Sequence, residues 1–346
     1  MLVNPDKLKD ILYQLAVGAG AGEYEAKILS DSTVQAELRG MSSHGVVRYP
    51  SYIERISLGL YAVKTEPEVI TDAGSLLLID GKNGIGAPLA MRAMELCVAR
   101  ASQTGACFAG VNHGNHFGCG AYYTQYAASK GMIGFAAANA NAWVTPFGGA
   151  QKKLGTNPLA IAVPCGDKEP LVVDMATSEA AHGKVLVCAK KGIPVPLGWG
   201  IDSEGNAATD PQAILNGGAL LPFGGAKGYG ISLVIELLCS ALAGGKRSTE
   251  MGSMFARDQV IGTGFFIGAI DAGKLVDPET FAARVDDILE DMRDAGTEEK
   301  PVYIPGEIEA NKARLAGENG IEIAPAIFED LSRLAERYGA AMDIQM

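Results

Sequence analysis

The 346-residue sequence has no long basic run, only four histidines and no long hydrophobic segment. Each of these features limits the classes of function that the protein can have. Its 29 lysines and arginines against 40 aspartates and glutamates give a net charge of −11, and no basic run is longer than two residues. Nucleic-acid binding needs a basic face and is not expected. No apolar run approaches the roughly 18 residues of a membrane span, and the opening MLVNPDKLKD is unlike a signal peptide. We expect no membrane association.

Cysteine spacing excludes the common metal and redox motifs. The chain has six cysteines scattered through apolar sequence, without a C-x-x-C or C-x-x-x-C pair. Buried, reduced thiols in a cytoplasmic protein are therefore expected, rather than disulfides or a zinc site. The six residues are Cys97, Cys107, Cys119, Cys165, Cys188 and Cys239.

Hydrophobic spacing predicts an α/β core flanked by helices from both ends of the chain. At about 100–200 residues per domain, the length fits two domains or one large domain with an insertion. Two helices are expected within residues 1–40 and a third near YIERISLGL; near the other end, a strand in GTGFFIGAID precedes a helix over Pro278–Arg293 and two more helices. Strands between these ends are predicted at Leu76–Asp80, Cys107–Val111, Met132–Ala138, Leu159–Val163 and Leu171–Asp174. Helices there are predicted at Ala87–Ala101, Ala121–Ser129, Ser178–Ala189 and Gly228–Ala243.

The glycine fingerprint of the common dinucleotide-binding fold is absent. GKNGIGAPLA lacks the third glycine of G-x-G-x-x-G, and GGAKGYG has neither P-loop spacing nor a serine or threonine after its lysine. The chain binds a dinucleotide by a different architecture, or it binds none.

One of only four histidines, His44, lies in RGMSSHGVVRYPSY, four residues before Arg48. If a helix begins at HGVVR, the two side chains share one face and can reach one cavity. An arginine that clamps a carboxylate beside a histidine that handles a proton suits a 2-oxo or 2-hydroxy acid. Alternatively, Ser43 caps a helix and His44 is an ordinary polar residue. Arg48 would then be a surface residue paired with an acidic neighbour such as Glu54.

The segment VNHGNHFGCGAYY places His113 and His116 between an apolar strand and a helix. Glycines permit tight turns and the close approach of a ligand. They lie here at the carboxyl end of a strand, which is where α/β sheets bind their ligands. The H-x-x-H spacing also admits zinc, but the motif supplies no third ligand and no acidic residue, so we expect no metal site. The alternative is a turn with surface histidines.

Three later segments have features of an anion or nucleotide site. GTNP, containing Asn157, precedes an apolar strand. VVDMATSEAAHGKV ends a strand at Asp174 and then begins a helix capped by Thr177 or Ser178, whose free N–H groups suit a pyrophosphate or ribose. LLPFGGAKGYG holds Lys227 in a glycine turn before another helix. Each segment alone is as consistent with an ordinary loop.

Taken in order, these segments resemble the type-2 malate/L-lactate dehydrogenase family, which includes ureidoglycolate, sulfolactate and diketogulonate oxidoreductases and a piperideine/pyrroline-2-carboxylate reductase. The resemblance runs over nearly the whole chain, through AELRGMSSHGVVRYPSY, NHFGCGAYY, GTNPLAIAVP, VDMATSEAAHGKV, GGALLPFGGAKGYG and YIPGE. It implies an α/β fold whose mixed, non-Rossmann sheet binds the nicotinamide dinucleotide. It also implies a homodimer with its site near the subunit contact. We expect residues 1–74 with 273–346 to form a helical substrate and dimerisation subdomain, and residues 75–272 the dinucleotide-binding domain.

The resemblance also implies roles for individual residues. His116 matches the proton acceptor and donor, with Ser43 and His44 as further catalytic candidates. Arg48 matches the clamp for the substrate carboxylate, and Tyr52 and Asn157 are expected to contact substrate. The cofactor, NAD or NADP, is expected to contact Asp174, Met175, Ala176, Thr177, Ser178, His182, Lys227, Pro305, Gly306 and Glu307.

The sequence therefore predicts an NAD(P)-dependent oxidoreductase that moves a hydride to or from a small 2-oxo or 2-hydroxy acid. The alternative is reduction of a cyclic imino acid, and a remote one is a non-enzymatic metabolite-binding protein. The cues for substrate conflict. In the imino-acid reductases an acidic residue follows AHG and joins the Ser–His pair, whereas this chain has Lys184, as the hydroxy-acid members do. AAHG and LLPFGGAKG, in contrast, look closer to the reductases.

Overall fold

The computed structural model describes residues 1–342, which contain eleven α-helices and twelve strands. The helices are α1 (Pro5–Gly18), α2 (Glu23–Leu38), α3 (Tyr49–Ser57), α4 (Gly86–Thr104), α5 (Gly120–Ala128), α6 (His182–Lys191), α7 (Pro211–Leu215), α8 (Ala226–Glu236), α9 (Pro278–Arg293), α10 (Glu307–Asn319) and α11 (Pro325–Tyr338). The strands are β1 (Leu2–Val3), β2 (Glu68–Asp72), β3 (Leu76–Asp80), β4 (Ala106–Gly114), β5 (Met132–Ala138), β6 (Leu159–Cys165), β7 (Lys168–Met175), β8 (Gly200–Ile201), β9 (Ala207–Ala208), β10 (Ala219–Leu220), β11 (Thr263–Asp271) and β12 (Ile321–Glu322). None of these helices has the length and apolar character needed to cross a membrane.

A seven-stranded mixed sheet forms the centre of the fold, in the order β2-β3-β4-β11-β5-β6-β7. β3 and β4 run parallel, and every other neighbouring pair is antiparallel. β11 comes from late in the chain and is inserted between β4 and β5. The predicted mixed, non-Rossmann α/β fold is confirmed.

Helices cover both faces of the sheet, as the alternation along β11 shows. Phe265, Ile267 and Ala269 pack in one core with side chains of α4. Phe266, which points the other way, packs with Ile235 of α8 and Cys239 in the π-helical turn that follows it. Because successive strand residues face opposite sides, the sheet is buried between the two helical layers.

A second core is built from helices at both ends of the chain. Apolar residues of α1, α2 and α3 pack against α11 and against the short pair formed by β1 and β12. Met254 and Ile261, from the segment before β11, also join this core. The helical core and the sheet layer meet where α2 packs on α4, whose first turn adds Ala87 to the helical core.

Two predicted helices have wrong bounds, and helix α7 and six strands were not predicted: β1, β2, β8, β9, β10 and β12. α6 begins at His182 rather than Ser178, because the Thr177 hydroxyl donates to backbone carbonyls and Ser178 lies in a β-bridge with Pro222. The helix predicted over Gly228–Ala243 is α8 followed by a π-helical turn at Leu237–Leu242. β2 is an exposed edge strand, so it lacks the apolar alternation that predicts strands.

The start of α4 is packed on the backbone that carries His116. A Cβ built on Gly86 would overlap the carbonyl oxygens of His116 and Asn115. Asn115 also donates to the oxygens of Asn83 and Gly84, so the two turns are held together. This contact fixes the height of His116 above the sheet.

We expect Gly86→Ala to lower the free energy of unfolding by about 1–3 kcal/mol, because the added methyl group cannot fit without moving backbone. Gly317→Ala is the control, since a Cβ at that helical position meets nothing within 4 Å. It should stabilise the protein by about 0.5–1 kcal/mol. Thermal unfolding of both variants measures the difference, and an unchanged Tm for Gly86→Ala would contradict the packing.

Candidate active site

The segment carrying His44 and Arg48 forms two 3₁₀ turns, Ser42–His44 and Val46–Arg48, so the predicted helix at HGVVR is wrong. Gly45, between the turns, has φ −88° and ψ −143°, which is neither helical nor extended backbone. Glu37, near the end of α2, accepts hydrogen bonds from Ser42 Oγ at 2.7 Å and from the Val46 amide at 2.8 Å. A Cβ on Gly45 would overlap this carboxylate. Glu37 thus holds the turn pair against α2, a role that the sequence reading did not identify.

Arg48 nevertheless lies beside His44, through a contact that helical spacing does not predict. Its Nε donates to the Ser43 carbonyl at 2.8 Å. Its Nη1 lies 3.7 Å from Met254 Sδ, and its Cζ lies 5.4 Å from the ring centroid of Phe255. The guanidinium is half-buried between a backbone carbonyl and two apolar side chains.

The charge of Arg48 is not neutralised by the protein. No salt bridge within residues 1–342 includes Arg48. Glu54, the neighbour considered as its partner, pairs instead with Arg257 at 2.9 Å. A half-buried guanidinium without a carboxylate partner is suited to binding an anionic ligand.

Two histidines from distant segments stack in front of this arginine. The rings of His44 and His116 have centroids 5.7 Å apart and planes 14° apart. Ser43 Oγ lies 2.9 Å from His44 Nδ1, and the Tyr52 hydroxyl lies 2.7 Å from His116 Nδ1. The structure therefore brings together five predicted residues: Ser43, His44, Arg48, Tyr52 and His116.

Burial and the charge of Arg48 keep both imidazoles neutral. Burial, with a further contribution from Arg48, lowers the pKa of His44 to about 4. The pKa of His116 lies well below its usual value because of burial, His44 and Arg48. Burial raises the pKa of Tyr52, so its hydroxyl stays protonated. Neutral histidines can accept a proton, and an anion bound at Arg48 would raise both histidine pKa values.

The two histidines of H-x-x-H face different partners. His113 has a positive φ of 46° and is exposed, with Nδ1 2.8 Å from Asp80 Oδ1. His116 turns inward to Tyr52. Within residues 1–342 there is no group of three side chains placed to hold a metal ion. The surface-histidine alternative is correct for His113 and wrong for His116.

Asn157 lies apart from this cluster in its hydrogen bonding. Its buried side chain donates to the Ser232 carbonyl and to Glu236, each at 3.1 Å, and accepts from the Ala140 amide at 3.1 Å. These bonds hold the residue at its positive φ of 25°. No bond joins Asn157 to Arg48 or to the histidines, so a substrate contact by Asn157 stays a prediction.

The three predicted cofactor segments lie side by side. The Val172 amide of β7 donates to the Pro305 carbonyl at 2.9 Å, which places PGE beside β7. The Phe223 amide donates to the Thr177 carbonyl at 3.1 Å. The turn before the exposed Lys227 therefore lies beside the segment that follows β7. Residues more than 120 positions apart in sequence thus line one continuous strip.

A cavity of about 250 Å³ opens on this strip. Asp174, Met175, Pro305 and Gly306 contribute to its wall, together with Arg39. Gly306 has a positive φ, and a Cβ there would lie 3.0 Å from Val172. Arg39 has a buried Nε without a hydrogen-bond partner. A close backbone approach and an unsatisfied guanidinium N–H both fit a phosphate-containing dinucleotide.

Asp174 itself is committed to the protein. Its carboxylate accepts from the Ala121 amide at 2.8 Å, at the start of α5, and burial raises its pKa to about 6. Asp174 therefore fixes the position of α5 as well as lining the cavity.

His182 extends the active site beyond the first five residues. Its ring packs on Trp143 with centroids 3.8 Å apart, and its Nε2 is buried without a hydrogen-bond partner. The next residue, Gly183, faces Ser43, with an added Cβ 3.9 Å from the Ser43 Cβ. Trp143, Met254 and Phe255 were not identified from the sequence, because each lies in a loop distant from the histidine motifs.

Comparison with known proteins finds relatives over the whole length of this chain. The malate/L-lactate dehydrogenase family model matches residues 3–332. An L-sulfolactate dehydrogenase of Methanothermobacter thermautotrophicus is 35% identical, over 100% of this chain and 99% of the relative. A Delta(1)-pyrroline-2-carboxylate/Delta(1)-piperideine-2-carboxylate reductase of Pseudomonas putida is 34% identical, over 95% of each chain. The solved structure of sulfolactate dehydrogenase from Methanocaldococcus jannaschii matches with a TM-score of 0.92 at 34% identity, covering 98% of each chain.

These relatives define an oxidoreductase that acts on a CH–OH or C=N bond, as the sequence predicted. The chain belongs to the malate/L-lactate dehydrogenase family. A nicotinamide cofactor follows from membership of this family.

The lowered histidine pKa values predict a loss of stability in acid. His44 and His182 have folded-state pKa values of about 4, below the ordinary 6.5. As the pH falls, the unfolded chain binds protons first, so this stability is present above pH 6.5 and is lost towards pH 4. Asp174, with its raised pKa, opposes the trend by destabilising the fold as the pH rises through about 6.

We therefore expect His44→Gln and His182→Gln each to reduce the fall in Tm between about pH 7 and pH 4.5, since each removes one group that titrates in that interval. Differential scanning calorimetry across this range measures the effect. A wild-type fall that persists undiminished in both variants would contradict the assigned shifts.

Proposed function

We propose that this chain is an NAD(P)-dependent oxidoreductase that transfers a hydride between the nicotinamide ring and C2 of a small 2-hydroxy or 2-oxo acid. The observation that carries the proposal is the unneutralised guanidinium of Arg48 beside two neutral, stacked histidines. A carboxylate held by Arg48 places the adjacent C2 oxygen within the reach of these imidazoles. Turnover of NADH and NADPH with pyruvate, oxaloacetate, sulfopyruvate and piperideine-2-carboxylate tests the proposal directly.

In this proposal Arg48 positions the substrate and His116 transfers the proton. Arg48 binds the substrate carboxylate, and Nη2, which makes no hydrogen bond within residues 1–342, is available for this. His116, oriented by the Tyr52 hydroxyl, accepts the proton of the 2-hydroxyl group in oxidation and returns it in reduction. Neutralisation of Arg48 by the bound carboxylate raises the pKa of His116, so its protonated form becomes available when the substrate is present. When bound, the nicotinamide cofactor supplies or accepts the hydride.

The cofactor is proposed to bind along the strip that joins the three predicted segments. Asp174 to Ser178, Lys227 and Pro305 to Glu307 supply its backbone and side chains, with His182 between this strip and Ser43. Arg39 is suited to a phosphate group. We keep both NAD and NADP as cofactors, and Kd values for the two reduced forms distinguish them.

A cyclic imino acid is the second candidate substrate, because it presents the same carboxylate to Arg48. The relative from Pseudomonas putida is named for this activity. However, Lys184 is exposed, and no acidic side chain within residues 1–342 hydrogen-bonds to Ser43 or His44. Within residues 1–342 the Ser43–His44 pair thus lacks the acidic partner described for the imino-acid reductases. This supports an oxo or hydroxy acid as substrate over an imino acid.

We further propose a cytoplasmic homodimer with two structural units. α8 and the π-helical turn leave an apolar face exposed, which supports a subunit contact near the active site. Its residues are Ile231, Val234, Leu237 and Leu242. The separate helical and sheet cores support a division into residues 1–74 with 273–346 and residues 75–272. Six free cysteines support a reducing compartment.

We expect Arg48→Lys to lower kcat/KM for 2-oxo acids by roughly 30- to 1,000-fold, since lysine cannot reproduce the bidentate contact, worth about 2–4 kcal/mol. The affinity for NAD(P)H should stay nearly unchanged. Arg257→Lys, at an exposed arginine paired with Glu54, is the matched control and should behave as wild type. A loss below about threefold in steady-state kinetics would exclude the clamp.

We expect His116→Ala to lower kcat by at least ~10²-fold while cofactor binding persists, because positioned proton transfer contributes this much. Kinetics of His44→Ala in parallel separate the two stacked imidazoles. Unchanged turnover in His116→Ala would remove His116 from the mechanism and leave His44 as the acid and base.

A further inference from the structure

Arg55, in the last turn of α3, is a buried arginine outside the active site. Only 2% of its surface is exposed, and no salt bridge within residues 1–342 includes it. Its guanidinium carbon lies 4.9 Å from the ring centroid of Tyr61. Burying a charge without a counter-ion is costly, so the compensating interactions of Arg55 indicate its role.

Those interactions are backbone carbonyls of one short segment. Nη1 donates to Ala256 O at 2.6 Å and more weakly to Ser253 O at 3.4 Å. Nη2 donates to Gln259 O at 2.8 Å. The segment from Ser253 to Gln259, called segment 253–259, contains neither helix nor strand. One guanidinium thus fixes a segment that has no regular backbone ladder of its own.

The same segment contacts the proposed carboxylate clamp. Met254 Sδ lies 3.7 Å from Arg48 Nη1, and the Phe255 ring lies 5.4 Å from Arg48 Cζ. Met254 is buried in the helical core, whereas Phe255 is 61% exposed and has little else to hold it. Arg48 is the residue just before α3, and Tyr52 and Arg55 follow it by four and seven positions. Because the backbone of Arg48 is already helical, the three side chains share one side of the helix.

We propose that Arg55 is a positioning residue that holds segment 253–259 against Arg48. With the segment in place, Met254 and Phe255 form an apolar wall beside the guanidinium. The wall limits the hydration of Arg48 and restricts its orientation, so that its free N–H groups point towards the substrate. The kinetic part of this proposal rests on the proposed function, whereas the anchoring of the segment does not.

The test combines Arg55→Lys with proteolysis and kinetics. Lysine keeps the charge and the aliphatic stem but cannot reach three carbonyls with one ammonium group. Trypsin cleaves after Arg257, inside the segment. We expect cleavage there to accelerate about tenfold, KM for a 2-oxo acid to rise about tenfold, and kcat and the Kd for NADH to change less than about threefold.

Arg314→Lys is the matched control, because it makes the same exchange at an exposed arginine of α10, paired with Glu318, and leaves the three carbonyl bonds of Arg55 and the Glu54–Arg257 ion pair intact. It should show neither faster cleavage nor a raised KM. Wild-type cleavage kinetics in Arg55→Lys would overturn the anchoring, and faster cleavage with an unchanged KM would overturn its effect on the clamp.

Phe255→Ala keeps the test decisive if Arg55→Lys fails to fold, since this exposed ring can be removed without touching Arg55. It should raise KM about threefold or more by freeing Arg48, with wild-type circular dichroism and NADH affinity. An unchanged KM in Phe255→Ala would overturn the wall. If wild-type protein turns over no 2-oxo acid, the proposed function fails, and the tryptic comparison still decides whether Arg55 holds the segment.

Discussion

The uncompensated positive charge of Arg48 is the interaction on which the rest of the site depends. A half-buried guanidinium without a carboxylate partner disfavours any further positive charge nearby, and this is one reason why His44 and His116 are neutral. The site thus combines two neutral imidazoles, which can accept a proton, with one guanidinium that can bind an anion. Because the coupling between two sites is reciprocal, an anion that raises the histidine pKa values must itself bind more tightly when they are protonated. Under the proposed function, binding of the substrate carboxylate and uptake of a proton therefore favour each other, which suits the reduction of a carbonyl to an alcohol.

This charge is held where the two cores meet, and the fold supplies the rigidity. α3 belongs to the helical core, yet its Tyr52 reaches across to His116, which follows the sheet strand β4. On the other side, Asn115 ties the His116 turn to the turn before α4. A site assembled from two cores gains precision only if both are fixed relative to one another. At Gly86 the first turn of α4 packs directly on the backbone of Asn115 and His116, with no side chain in between. This contact holds the His116 turn in place.

The strongly patterned parts of the fold could be predicted from the sequence. Short apolar runs give β3 and β5 their observed ends, and a proline followed by apolar periodicity gives α9 its observed bounds. Boundaries were wrong where side chains bond to backbone instead of capping a helix, as at Thr177. His44 and Arg48 do lie together, but the break at Gly45 between two 3₁₀ turns and a hydrogen bond to the Ser43 carbonyl are the cause, rather than helical spacing. The wall of Met254 and Phe255 is separated from Arg48 by more than 200 residues, and no local pattern encodes that contact.

The short turn between His116 and α5 connects the proposed proton-transfer site with the proposed cofactor strip. α5 begins at Gly120, and the carboxylate of Asp174, which lines the cavity, accepts the Ala121 amide at its start. Between these points, the ring of Phe117 stacks on Phe265 of the central strand with centroids 5.0 Å apart. The turn is therefore held at one end by the sheet and at the other by Asp174. Hydride transfer requires that two separately bound molecules meet with their reacting atoms in contact. A rigid connection between the two sites keeps that geometry fixed. The bond from the Ala121 amide to the Asp174 carboxylate supplies part of this stiffness, although burial raises the pKa of that carboxyl group.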